Sequence, residues 1–283
     1  MTEPQFFTAE DGLRLAYRDE GTGLPLIALA GLTRNGDDFD FLAPHLPSVR
    51  LIRPDYRGRG RSQWGDPGSY TIEQEARDVH GLMDHLGLAR AAILGTSRGG
   101  LIAMLLAATA KERLLGVCLN DIGPEIAPEG LASIAAYIGR NPGADSYEAA
   151  AEARARTAVG FANVPRERWL ADVKNLFTET ETGLAITYDP ALAHGFADGA
   201  EIPPLWPLFD ALDGLPVALI HGAGSDILAQ STADEMRRRR PDMGYARLED
   251  RGHVPWLDEP DALAVIRAWL AEITNASQTR DPA

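Results

Sequence analysis

The chain has 283 residues, 45% of them hydrophobic and 24% charged, enough to bury a large core in one domain or in one domain carrying an insertion. Its formal net charge of −14 at pH 7 argues against a nucleic-acid partner, because phosphates would be repelled rather than neutralised. The opening MTEPQFFTAEDG has neither a basic start nor an apolar run, the longest apolar stretch (Leu101 to Ala110) is too short to span a bilayer, and the single cysteine, Cys118, lies within an apolar run as a small buried hydrophobe would. These features predict a cytoplasmic protein with no signal peptide and no membrane partner, and they leave its oligomeric state open.

Residues 13–19 (LRLAYRD) alternate apolar and polar side chains, the pattern of a half-exposed strand. The runs LIALA (26–30), VRLIRP (49–54), AAILG (91–95), GVCLND (116–121) and PVALIHG (216–222) are nearly continuously apolar, as parallel strands covered on both faces should be. A further strand is expected near 244–248. Between these runs, residues 71–86 place Ile72, Ala76, Val79, Met83 and Leu86 on one stripe, with Thr71 and Gln74 in capping-box spacing and Gly87 at the stop. The stretch after Ser97, GGLIAMLLAATA, is apolar all round and predicts a buried helix. Pro260 opens a last helix with Leu263, Ile266, Trp269 or Leu270, and Ile273 facing inward, and a polar tail from Asn275 is expected to fray.

Strands alternating with helices predict an α/β fold with a mainly parallel sheet covered on both faces. The alternation stops after Asp121. From about 123 to 203 no buried strand is legible, and LASIAAYIGR, YEAAAEARARTAV and RERWLADVKNLF read as amphipathic helices. The expected organisation is a core of 1–122 and 204–283 with a helical cap inserted at 123–203.

The strongest chemical signal is Gly95-Thr96-Ser97-Arg98-Gly99, a G-x-S-x-G pattern between an apolar strand and a buried helix. A strand that turns abruptly into a helix holds a serine exposed in a strained conformation, and only small neighbours allow so close an approach. The hydroxyl needs a base. Of six histidines, His253 in Arg251-Gly252-His253-Val254-Pro255 follows a late strand on a loop that can reach the nucleophile. His80 and His85 lie on a helix, His45 closes another, His221 ends a strand, and His194 in the insertion is a lesser candidate for touching substrate. The base needs an orienting carboxylate. Asp226, after the strand PVALIHG, is the expected acid; Asp121, after the preceding strand, is its rival. The oxyanion donors are expected to be the backbone N–H groups of Arg98 and Leu32.

With these residues in place the sequence resembles the α/β-hydrolase family over nearly its whole length. Asp55-Tyr56-Arg57-Gly58-Arg59-Gly60-Arg61-Ser62 is similar to a D-x-R-G-x-G-x-S loop that is structural in many members. The resemblance implies an eight-stranded, mostly parallel sheet with a helical cap. One departure is Ala30-Gly31 where many members carry His-Gly. Serine at position 97 argues against the related haloalkane dehalogenases and epoxide hydrolases, which use aspartate there.

The expected activity is hydrolysis of a small carboxylic ester or lactone through an acyl-enzyme. Two alternatives stay open: carbon–carbon bond hydrolysis of ring-fission diketones, and a small-molecule receptor on the same fold. Trp256, Trp206 and Arg34 are the expected substrate contacts, Arg34 toward a substrate carboxylate. No metal motif is present, and no cofactor is expected.

Overall fold

The computed structural model describes residues 3–196 and 203–280. The chain opens on two short strands, β1 (Gln5–Thr8) and β2 (Arg14–Glu20), followed by β3 (Leu24–Leu29) and β4 (Val49–Pro54). Then come α1 (Ile72–His85), β5 (Ala91–Thr96), α2 (Arg98–Ala110) and β6 (Leu114–Asn120). Three helices follow, α3 (Pro128–Tyr137), α4 (Tyr147–Thr157) and α5 (Arg166–Leu176), then a hairpin of β7 (Phe177–Thr180) and β8 (Gly183–Ile186). The chain ends on α6 (Trp206–Asp210), β9 (Val217–Gly222), α7 (Gln230–Arg239), β10 (Gly244–Leu248) and α8 (Pro260–Arg280).

Eight strands form one sheet in the order β1-β2-β4-β3-β5-β6-β9-β10. β2 runs antiparallel to both β1 and β4, and every other pairing is parallel. The apolar runs read from the sequence are the central strands, and β3, β5, β6 and β9 are almost wholly buried. α1 turns its Ala76, Val79, Leu82 and Met83 stripe to the core, and the Thr71 hydroxyl accepts from the Gln74 amide at its start. α2 is buried on nearly all sides from Gly99 to Ala107. Among the described residues no helix is long and apolar enough to cross a membrane.

Three features depart from the sequence reading. β1 was not legible, since four residues cannot display a period. The β7–β8 hairpin interrupts the helical stretch; β7 is largely exposed, so it carries no apolar run to announce it. α8 continues through the polar tail to Arg280, while the last residues of that tail, 281–283, lie outside the described residues, as do residues 197–202 near the expected end of the insertion.

The segment between β6 and β9 leaves and rejoins the core at one point, where the Leu205 amide donates to the Pro124 carbonyl at 2.7 Å. In between, α3, α4, α5 and the hairpin stand over the carboxyl ends of β5, β6 and β9, and they share a cavity of about 880 Å³ with Ser97 and His253. The carboxyl ends of parallel strands are where open α/β sheets bind ligands.

The Asp55–Ser62 loop is a scaffold. The Asp55 carboxylate accepts the Gly36 and Arg61 amides, each at 2.8 Å, and the Ser62 hydroxyl donates to the Asp55 carbonyl. Arg57, fully buried, is held by Asp78 and Asp11. Beneath the first turn of α2, buried Glu75 takes Arg98 Nε at 2.5 Å and Arg59 Nη1 at 2.8 Å.

Candidate active site

Ser97 joins β5 to α2 with φ 51° and ψ −117°, a region that side-chain-bearing residues rarely occupy. Its neighbours make the turn possible. A Cβ at Gly95 would stand 2.5 Å from both the Gly100 nitrogen and the Gly99 carbonyl carbon; one at Gly99 would stand 2.7 Å from the Leu29 carbonyl carbon and nearer still to its oxygen. The two glycines of the motif are therefore a packing requirement of strand and helix, and the result lifts the serine hydroxyl into the cavity.

His253 sits in the loop between β10 and α8, part-buried, with its Nε2 2.9 Å from Ser97 Oγ. Its Nδ1 lies 2.8 Å from Oδ2 of Asp121. This corrects the expectation that Asp226 would be the partner. β6 and β9 are adjacent parallel strands, so the loops after both open beside His253, and either could supply a carboxylate. Asp121 is the first residue past β6 and fully buried. Its Oδ1 accepts the Gly222 amide at 2.8 Å, and its Oδ2 accepts the Ser225 hydroxyl at 2.7 Å. The loop after β9 thus turns Ser225, not Asp226, toward the histidine's partner, and Asp226 comes to lie on the cavity wall. Asn120 steadies the same corner by donating to the Pro255 carbonyl, two residues past His253.

The Gly31–Leu32 loop lies beside Ser97: a Cβ at Gly31 would be 3.8 Å from that of the serine. Leu32 lines the cavity. Arg98 opens α2, where the first amides of a helix have no acceptor within it. Its side chain is spent on Glu75 and on the Tyr70 carbonyl, which leaves the backbone amide as what Arg98 offers near Ser97.

The other expected contacts divide. Trp256 lines the cavity in a cluster with Phe161 and Trp169, ring centroids 5.1 and 5.4 Å away. Trp206 does not belong to the cavity. Because the two ends of the insertion meet at its base, Trp206 lies at that base, donating to Glu125 at 2.6 Å under the Arg239 guanidinium. His194 stands exposed away from the cavity. His221 is buried against the Tyr245 hydroxyl and the Leu228 carbonyl. Burial pushes the Cys118 thiol far up, so it stays unreactive.

Arg34 lines the cavity but is already engaged. Its Nε meets Asp38 at 2.7 Å and its Nη2 meets Asp172 at 2.9 Å, so it is not free to clamp a substrate carboxylate as expected. Asp172, on α5, also takes Arg154 Nε at 2.5 Å and the Trp256 indole at 3.3 Å. Burial alone would raise its carboxyl, but the charges and hydrogen bonds of Arg154 and Arg34 hold it well below the usual carboxylate range. Sequence reading missed this knot, since Arg34, Arg154 and Asp172 are far apart in the chain and share no motif. It ties the loop beside Ser97 to the insertion. Asp172→Asn is expected to cost about 3 kcal/mol of stability near pH 7, because it strips Arg154 of its carboxylate and Arg34 of one of its two. A carboxyl depressed in the folded state contributes above its unfolded value of about 3.9 and loses that contribution as the pH falls toward the folded value. Urea unfolding should therefore show a gap between wild type and variant that is constant near neutrality and narrows below about pH 4.

A model of the alpha/beta hydrolase family matches residues 26–266. A 3-hydroxybutyrate-oligomer hydrolase of Cupriavidus necator is 33% identical over 267 residues, covering 89% of this chain and 91% of that protein. A pimeloyl-[acyl-carrier protein] methyl ester esterase of Neisseria meningitidis is 27% identical over 83% of this chain and 73% of its own. Among solved structures, an alpha/beta hydrolase from Novosphingobium aromaticivorans superposes with a TM-score of 0.88 at 38% identity, covering 95% of this chain and 98% of that one.

Proposed function

Since the chain belongs to the alpha/beta hydrolase family, we propose that it is a serine-nucleophile hydrolase of carboxylic esters, with Ser97 as nucleophile, His253 as base and Asp121 as the orienting acid. The observation that carries this reading is the continuous relay from Ser97 Oγ through both nitrogens of His253 to Asp121, with steps of 2.9 and 2.8 Å, opening on the cavity. The 3-hydroxybutyrate-oligomer hydrolase, similar over nearly both full lengths, supports short hydroxy-acid esters as the substrate class.

His253 takes the Ser97 proton as Oγ attacks the ester carbonyl, and Asp121 holds the ring in the tautomer that can accept it. The amides of Leu32 and Arg98 stabilise the oxyanion. The C–O bond to the alcohol breaks as His253 returns the proton to the leaving oxygen. Water, deprotonated by the same ring, then releases the acid.

The test is labelling with a fluorophosphonate probe followed by mass spectrometry of the intact protein and its peptides. One adduct is expected on Ser97, lost in His253→Ala. Folded protein that takes no adduct, or takes it on another residue, refutes the assignment.

A further inference from the structure

The cavity's charged lining does not balance. Arg34 and Arg154 share the carboxylates of Asp38 and Asp172 and form a neutral knot of two cations and two anions. Two further arginines line the same cavity, Arg140 just past α3 and Arg156 near the end of α4. Both reach solvent, and among the described residues neither has a carboxylate within ion-pair distance. Against them the lining offers Asp226 alone, which also makes no ion pair. Unspent cations on a cavity wall are notable in a chain of net charge −14, whose overall field repels anions.

Resting on the ester-hydrolase reading, we propose that Arg140 and Arg156 form a carboxylate-binding subsite, and that the substrate is an ester whose leaving alcohol carries a free carboxylate. An arginine is suited to this, since its guanidinium stays charged at any working pH and can donate two parallel hydrogen bonds to a carboxylate. In a linear ester of hydroxy acids the terminal carboxylate belongs to the alcohol half. The acyl half becomes bonded to Ser97 Oγ as the ester C–O bond breaks, and the carboxylate-bearing alcohol leaves with the proton from His253. The cavity, about 880 Å³, lies at the upper end of small-molecule pockets and has room for both halves. A neutral ester of the same length would meet the serine but leave both guanidiniums unpaired.

The experiment compares two dimeric 3-hydroxybutyrate esters, one ending in the free carboxylate and one in a carboxamide, which closes that end without adding a second cleavable ester. The ratio of their kcat/KM values, followed by chromatography of the uncleaved dimer, is expected to exceed about 10 in the wild type, as a charge-assisted contact implies. In R140Q/R156Q it should fall toward 1, with the change carried by KM for the acid and with Ser97 still labelled. A wild-type ratio near or below 1, or a ratio unmoved in the double variant, overturns the subsite. Cleavage of neither compound by a protein whose Ser97 takes the fluorophosphonate overturns the subsite while the serine-hydrolase reading stands. Absence of labelling overturns both.

Discussion

Asp121→Asn is expected to lower kcat on an ester substrate by about 10⁴-fold, roughly 5 kcal/mol of transition-state stabilisation, while Asp226→Asn leaves kcat within about threefold. The asparagine fits the space and still accepts the Gly222 amide through its oxygen. It has no negative charge with which to stabilise the imidazolium that forms on His253, and its amide group favours the wrong tautomer of the ring. Asp226 makes no hydrogen bond to His253, whose Nδ1 is filled by Asp121 at 2.8 Å. Steady-state kinetics on both variants, with folding checked by urea unfolding, decides between the two acids. A collapse of kcat in Asp226→Asn and not in Asp121→Asn would sink the Asp121 assignment.

The second large effect is on folding. Gly99→Ala should destabilise the chain by at least about 4 kcal/mol, beyond the usual cost of overpacking a core. Its methyl group would be driven into the Leu29 carbonyl, and that carbonyl belongs to β3, a strand held between β4 and β5 with Leu29 itself paired to Gly95 of β5. Neither side can retreat: α2 is buried against the sheet, and β3 cannot move without breaking its ladder. Gly143→Ala is the matched control, because a Cβ there meets nothing within 4 Å and its backbone needs no unusual angle. Urea midpoints of the two variants should differ by most of the wild-type stability. Equal midpoints would mean that the close approach at the turn does not constrain the fold.

The legible parts of this protein were those written in local pattern. Strands buried on both faces must be apolar along their length, so β3 to β6 and β9 could be placed within a few residues. The turn at Ser97 announces itself because the two glycines answer to a steric demand that only a strand-to-helix corner makes. His253 followed from its position on a loop after a late strand. The acid was not separable in the same way. Two neighbouring strands each end in a loop with an aspartate, and which carboxylate faces the histidine depends on how the β9 loop folds back, a matter of three residues and the Ser225 hydroxyl. Trp206 was misplaced for a related reason: closeness to the insertion in sequence says nothing about height above the sheet, and the Leu205–Pro124 bond puts it at the base. The Arg34–Asp172–Arg154 knot joins residues more than a hundred positions apart in part, beyond the reach of any local signal.

That knot bears on transplantation. The segment over the cavity begins and ends at one doorway, which makes it look like a cartridge that could be exchanged among relatives to change what is hydrolysed. Yet one of its own carboxylates neutralises a guanidinium on the loop that flanks Ser97. A donor segment lacking an acid at the place of Asp172 would leave Arg34 buried beside Asp38 with half of its counter-charge gone. A workable chimera must carry both halves of that pair across, or neither.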